Sequence, residues 1–151
     1  MLGIGIGAIM LATNVVFERL LMSLGVRGAT LIPGLADFSP ILNRGVSFSL
    51  FTQNTDTGRY LLMALLCVII AGVLVLVWQA QNRLTAIGFG LILGGAMGNL
   101  LDRGFYGGVF DFLALHLGAT PLFICNLADI TISAGVVLLV ADTILPKPRS
   151  I

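Results

Sequence analysis

Four long apolar segments limit what this chain can fold into. They run from about Met1 to Phe17, Tyr60 to Trp78, Leu84 to Leu101 and Leu122 to Ala141. A helix needs about 20 mostly apolar residues to cross the roughly 30 Å hydrocarbon layer of a membrane. The chain is 58% hydrophobic and 10% charged, with a mean hydropathy of +1.06, which excludes a water-soluble domain of this size. We predict a mainly α membrane protein, a four-transmembrane-helix bundle forming one integral membrane domain over residues 1–151.

Other features of the composition exclude further classes. The net charge is +1 and the chain has no basic run, so a nucleic acid is not an expected partner. Cys67 and Cys125 fall within apolar segments, where a free cysteine behaves as a small hydrophobe rather than as part of a disulfide framework. The first segment has neither a basic lead nor a small-residue cleavage site before Glu18 and Arg19, which favours a retained anchor over a cleaved signal.

The order of the spans gathers two long loops on one side of the membrane. The first, residues 20–59, contains "TLIPGLADFSPILN", where proline and glycine separate short apolar runs, and this pattern predicts a small β element on the membrane surface. The second, residues 102–121, is closed by Pro121, and we predict a short interfacial helix or loop there, between spans three and four. Arginines occur on both sides, so the positive-inside rule does not decide the orientation.

Small residues recur along the third span. Gly90, Gly94 and Gly98 are four residues apart, so they lie on one face of a helix. Such a bare face favours close approach of a neighbouring helix. We interpret the glycines as a packing surface.

Polar residues cluster where spans three and four meet the loop side. In "GNLLDRG", Asn99 is three residues from Asp102 and four from Arg103, so the three share a helix face. In "CNLAD", Asn126 and Asp129 have the same spacing of three. Asp129 is expected about 10 Å inside the fourth span. The two helices therefore bring two Asn-x-x-Asp pairs to a similar depth.

Each of these residues also has a structural interpretation. Asp102 and Arg103 could form an ion pair at a helix end, Asn126 could hydrogen-bond a neighbouring helix, and Asp111 could belong to a turn. Asp129 is harder to explain in this way, because a carboxylate within a membrane span needs a partner or a proton.

The available side chains restrict the chemistry of such a site. His116 is the single histidine, which argues against Ser-His-Asp hydrolysis, and Lys147, the single lysine, lies on the opposite side of the membrane from the long loops, which argues against Ser-Lys hydrolysis. A metal site from Asp111, His116, Cys125 and Asp129 lacks any recognisable ligand spacing, so neither a metal nor another cofactor is expected. Two aspartates remain, which could share one proton and activate water for attack on an amide.

Four motifs in this order resemble one enzyme family. "NRGVSF" (Asn43 to Phe48), "GAMGNLLDR", "VFDF" and "CNLAD" are similar to motifs of the lipoprotein signal peptidase (signal peptidase II) of bacteria. The resemblance implies an aspartic endopeptidase that cuts the signal peptide from a prolipoprotein just before its diacylglyceryl-modified cysteine. It implies Asp111 and Asp129 as the catalytic dyad, and the choice of Asp111 over Asp102 rests on it.

The resemblance also implies roles for the other polar residues. The residues expected to hold the substrate or the dyad are Asn43, Asn99, Asp102, Arg103 and Asn126. Arg103 is expected to bind a carbonyl group or a lipid headgroup. The family further implies a multi-pass protein of the bacterial inner membrane with the loops, and therefore the β element and the active site, on the periplasmic side. Membrane lipids and globomycin-type lipopeptide inhibitors are the other expected ligands, and a monomer is expected.

The first span departs from the family pattern. The family usually has an Asp-Gln pair followed by Ser or Thr and Lys, whereas Asn14 stands at the place of the acid and Glu18 and Arg19 lie near that of the lysine. Val46 and Ser47 replace a usual pair of alanines. A divergent paralogue with altered peptidase activity is the alternative within the family. A small transporter or channel subunit is the alternative from another class, although the second span carries no charged residue that would line a path.

Overall fold

The computed structural model describes residues 1–25, 27–45 and 56–145. Four helices and four strands occur in these ranges. In chain order they are α1 (Leu2–Leu24), β1 (Ala29–Ile32), β2 (Ala36–Asn43), α2 (Asp56–Gln79), α3 (Arg83–Tyr106), β3 (Val109–Leu117), β4 (Thr120–Cys125) and α4 (Leu127–Ile144). The end of the "NRGVSF" motif and the "PKPRS" segment lie outside the described residues.

The predicted helix bundle is confirmed. All four helices are long and apolar enough to cross a membrane, so the chain is a multi-pass membrane protein. The fourth span was placed too early, because its first predicted residues, Leu122 to Cys125, belong to β4. Asp129 therefore lies in the first turn of α4 rather than two turns inside it.

Helix α3 is the centre of the bundle, and its glycines allow two neighbours to approach. A Cβ atom added at Gly94 would lie 2.7 Å from the Gly7 carbonyl oxygen of α1. On another face, a Cβ at Gly95 would lie 2.5 Å from the Ala128 carbonyl oxygen of α4. Backbone thus packs directly on backbone, since lipid supplies no hydrophobic force to pull helices together. The predicted packing role of the glycines is supported on the α1 side.

The two long loops combine into one antiparallel sheet in the order β1-β2-β3-β4. The β element predicted in the first loop is confirmed as β1 and β2. The interfacial helix or loop predicted between spans three and four is wrong, because this segment is the hairpin β3–β4, which turns at Gly118 with a φ of 58°. The segment forms strands because β2 supplies a pairing edge, and both sides of β3 are partly covered.

The ends of α3 and α4 farthest from the sheet are also tied together. Asn82 caps α3 by accepting a hydrogen bond from the Thr85 N–H group, 2.8 Å away. Asp142 of α4 accepts hydrogen bonds from the Asn82 amide at 3.0 Å and the Thr85 hydroxyl at 2.7 Å. We call these three residues the distal clasp.

The backbone contact between α3 and α4 gives a first prediction. Gly95→Ala should destabilise the protein by about 1–3 kcal/mol, because the added methyl group overlaps the Ala128 carbonyl. Gly72→Ala on α2 is the matched control, since a Cβ there meets nothing within 4 Å. The free energy of unfolding in detergent micelles checks this. Equal stability of the two variants would contradict the packing.

Candidate active site

The site forms where the sheet meets the loop-side ends of α3 and α4. Asp111 lies on β3, opposite Ile41 of β2, and is 2% exposed. Asn99 lies on α3, Asn126 caps α4, and Asp129 lies in its first turn. Asp111 and Asp129 line one cavity of about 610 Å³.

Asn126 joins the two aspartates. Its backbone is extended, with a φ of −123°, and its side-chain oxygen accepts a hydrogen bond from the Asp129 N–H group at 2.8 Å. This is the geometry of a helix N-cap. The side-chain nitrogen donates to Asp111 Oδ1 at 2.8 Å and to Asn99 Oδ1 at 3.0 Å. The amide is fully buried, and every hydrogen bond that its two atoms make lies within the site.

The amide groups form a closed ring with Asp129. The Asp129 N–H group donates to Asn126, the Asn126 amide donates to Asn99, and the Asn99 amide donates to Asp129 Oδ1 at 2.9 Å. Because a backbone N–H group can only donate, it fixes which atom of Asn126 is the oxygen and hence the direction of the whole ring. Asp129 Oδ2 has no donor among the described residues.

Asp111 is held on both oxygens. Asn126 donates to Oδ1, and the Asn43 amide of β2 donates to Oδ2 at 2.8 Å. The Asn43 oxygen accepts the Gly45 N–H group at 2.9 Å, so this amide also has a fixed orientation. Burial raises the pKa of Asp111 above its ordinary value, while the two amide donors oppose the rise, the charge of Asp129 adds to it and that of Arg103 opposes it.

Arg103 fastens the first loop to α3. Its guanidinium group donates to the Asn99 carbonyl oxygen at 3.0 Å and to the Gly45 carbonyl oxygen at 3.0 Å. Arg103 was expected to bind a carbonyl group or a lipid headgroup. The carbonyl groups that it binds belong to the protein itself, and the side chain is buried.

Asp102 contacts strand β3 and is not among the residues that line the cavity. Its Oδ2 atom accepts a hydrogen bond from the Phe110 N–H group at 3.2 Å, and Asp102 does not line the cavity that holds Asp111 and Asp129. Phe110 directly precedes Asp111 in the chain.

Asn14 and Glu18 of α1, which the sequence marks only as departures from the family pattern, are buried. Asn14 is 0% exposed and Glu18 is 4% exposed. Their spacing of four within an apolar span was the available signal, since it places two polar side chains on one helix face. Arg19, the neighbouring departure, is exposed.

The cavity has a polar end and an apolar wall. The polar end carries the amides, Arg103 and the two aspartates, and the wall is formed by side chains of α2, α4 and the sheet, including Leu62, Leu66, Leu113 and Ile130. Such a cavity can hold an apolar chain while a polar bond lies at the carboxylates.

Cys125 also lines the cavity, but it does not supply a nucleophile. Burial, with the charges of Asp129 and Asp111, raises the pKa of its thiol to about 11. The thiolate is the reactive form of cysteine, so the thiol stays protonated and unreactive at neutral pH.

The fold is that of a multi-pass membrane protein with a carboxylate-lined cavity at the loop side, and the comparison with known families adds that it is a peptidase. The family model for signal peptidase (SPase) II matches residues 5–145. The chain belongs to the signal peptidase II family.

Individual relatives agree with this assignment. The chain is 47% identical over 115 residues to a lipoprotein signal peptidase of Methylorubrum extorquens, covering 76% of this chain and 67% of the relative. It is 36% identical over 150 residues to a lipoprotein signal peptidase of Rhizorhabdus wittichii, covering 97% and 87%. A bacterial membrane enzyme solved by the in meso method shares the fold, with a TM-score of 0.77, 20% identity and coverage of 99% and 93%.

The two helix caps allow the site role of Asn126 to be separated from its capping role. Asn126→Ala and Asn82→Ala should each lose about 1 kcal/mol of capping energy, and Asn82→Ala also loses an exposed hydrogen bond to Asp142. Asn126→Ala should lose about 1–3 kcal/mol more, because Asp111 and Asn99 also lose a buried donor. Unfolding free energies of both variants in the same detergent check this. An equal loss in the two would mean that Asn126 is only a cap.

Proposed function

We propose that this protein is an aspartic endopeptidase that cleaves signal peptides from diacylglyceryl-modified prolipoproteins, immediately before the lipid-modified cysteine. It acts as a single-domain monomer in the bacterial inner membrane, with its site on the periplasmic side. The observation that carries the proposal is the meeting of Asp111 and Asp129 at one cavity, linked through the buried Asn126 amide.

The hydrogen bonds support different tasks for the two aspartates. Asp111 accepts an amide N–H on each oxygen, which favours its ionised form. Asp129 keeps Oδ2 without a donor among the described residues, so this oxygen is available to carry the shared proton. We assign Asp111 as the general base, because its two amide donors and the charge of Arg103 oppose the rise that burial causes in its pKa, and Asp129 as the general acid.

The reaction then needs only water and the two carboxyl groups. Asp111 takes a proton from water as the water oxygen attacks the scissile carbonyl carbon, and Asp129 gives its proton to the carbonyl oxygen. In the second step, Asp111 returns its proton to the leaving nitrogen as the C–N bond breaks. Asp129 recovers a proton from the tetrahedral intermediate as the carbonyl group of the new carboxyl end forms. Both aspartates end as they began.

The shape of the cavity supports a lipid-bearing substrate. Its apolar wall is formed partly by membrane-spanning helices, so acyl chains in the bilayer can lie along it while the peptide bond lies at the polar end. A globomycin-type lipopeptide combines the same two parts, and we expect it to compete with the substrate.

Conservative replacement of either aspartate tests the dyad. Asp111→Asn and Asp129→Asn should each lower kcat by about 10²- to 10⁴-fold, because each removes a proton-transfer group. Purified enzyme and a lipid-modified prolipoprotein are the assay, with mass spectrometry of the new amino terminus.

The matched control is Asp142→Asn, which changes an aspartate at the far ends of α3 and α4. It should retain cleavage. Full activity of Asp111→Asn or Asp129→Asn would reject the dyad, and a product that begins at another residue would reject the proposed cleavage position.

The pH profile tests the role of Asp111 as the base. Asp111 must be ionised to take a proton, so activity should fall as the pH drops through its raised pKa, at a higher pH than the ordinary aspartate value of about 3.9. Asn43→Ala removes a donor to the ionised carboxylate. It should therefore shift the fall in activity at low pH to a still higher pH. The profile of kcat/KM measures both effects, and an unchanged position of this fall in Asn43→Ala would contradict the assignment.

A further inference from the structure

Among the described residues that line the cavity, Ser133 of α4 is the only one with a hydroxyl group. It is exposed and comes four residues after Asp129. Residues four apart share a helix face, so Ser133 follows Asp129 on the same face, about 6 Å deeper along the helix axis. The reaction described above makes no use of this side chain.

The Ser133 hydroxyl group has no hydrogen-bond partner among the described residues. A serine or threonine within a helix can satisfy its hydroxyl group by donating to a carbonyl oxygen one turn earlier. Four other hydroxyl groups of the helices do this, those of Thr13, Ser23, Thr131 and Thr143. The donor of Ser133 is therefore available to a ligand in the cavity.

The wall around Ser133 is apolar. Ile130 and Ile132 flank it on α4, and Leu62 and Leu66 of α2 belong to the same wall. A hydroxyl donor in such surroundings gains from meeting an acceptor, because no water replaces the missing partner. Asp129, one turn away, disfavours an anionic acceptor. The wall therefore suits a neutral acceptor that is attached to apolar chains.

A glyceryl ester combines these two properties. The substrate proposed above carries such esters on its modified cysteine, and the scissile bond lies directly before that cysteine. With this bond at the two aspartates, the acyl chains extend along the apolar wall. The link through the cysteine Cβ atom, its sulfur and the glycerol carbons is long enough to bring an ester carbonyl group to Ser133, one helical turn deeper.

We propose that Ser133 is a specificity-determining residue whose hydroxyl group donates a hydrogen bond to a carbonyl oxygen of the substrate's glyceryl esters. This contact is present in the bound substrate and in the transition state alike, so it contributes to binding rather than to the chemical step. The identity of the substrate rests on the proposed function, whereas recognition of a glyceryl ester is testable by binding alone.

An ester-linked substrate and its ether-linked analogue test the contact. The dialkylglyceryl analogue keeps the chains but lacks the carbonyl oxygens. The ratio of its KM to that of the ester substrate should be about 3- to 10-fold smaller in Ser133→Ala than in the wild type, which corresponds to one hydrogen bond. The kcat for the ester substrate should be unchanged in Ser133→Ala.

Two further variants separate the hydroxyl group from other effects. Ser133→Thr keeps a donor at this position and should retain the wild-type ratio. Thr143→Val removes a hydroxyl group that bonds its own helix outside the cavity lining, and it should also leave the ratio unchanged. An equal ratio in the wild type and Ser133→Ala would overturn the proposal, while cleavage by the wild type would still support the peptidase.

Direct binding separates this proposal from the proposed function. The probes are fluorescent lipopeptides with an ester- or ether-linked glyceryl group on the cysteine, and their Kd is measured in an alkyl maltoside, a detergent without ester groups. The Kd ratio should differ between the wild type and Ser133→Ala as the KM ratio does, even if no prolipoprotein is cleaved. Equal Kd ratios would reject the contact.

A phospholipid of the bilayer carries the same ester groups. Ester- and ether-linked phospholipids, added as competitors of the ester-linked lipopeptide, distinguish this source from the substrate. Competition should not depend on Ser133. If Ser133→Ala weakens only the competition by ester-linked phospholipid, the acceptor belongs to a bilayer lipid and the assignment to the substrate is overturned.

Discussion

The site depends on one buried amide. Asn126 directly follows strand β4, caps α4 and hydrogen-bonds both Asn99 of α3 and Asp111 of β3. An amide suits this place because it offers an acceptor and two donors on a short side chain. A carboxylate could accept the helix N–H group but could not donate to Asp111. The same amide group thus caps α4 and links the two aspartates.

The membrane explains why the polar side chains at the loop-side ends of α3 and α4 are hydrogen-bonded to one another and to Asp111. In hydrocarbon, an unpaired polar group is costly and water cannot replace a missing partner. The glycine faces of α3 bring helix backbones together, and the sheet then covers the ends of the helices. The carboxylates lie at this covered end, where α3 and α4 stop and strands begin. Amide donors take the place that water would have in a soluble enzyme.

The sequence predicted the spans and the cluster at the loop side because long apolar runs and spacings of three and four are local signals. It did not predict that Leu122 to Cys125 form a strand, because that outcome depends on a pairing edge supplied by a distant segment, β2. Nor did spacing distinguish Asp111 from Asp102, since both lie on the loop side. In the structure Asp111 accepts a hydrogen bond from the Asn126 amide, whereas Asp102 accepts one from the Phe110 N–H group, so the two aspartates have different surroundings.

The distal clasp has a consequence for how a substrate enters. Asn82, Thr85 and Asp142 fasten α3 to α4 at one end, and the Asn99–Asn126 bond fastens the same two helices at the other. Two helices that are hydrogen-bonded to each other at both ends cannot separate by rotating about one end. A ligand that enters the cavity must therefore pass on the side of α2, whose Leu62 and Leu66 line the wall, while α3 and α4 keep their separation.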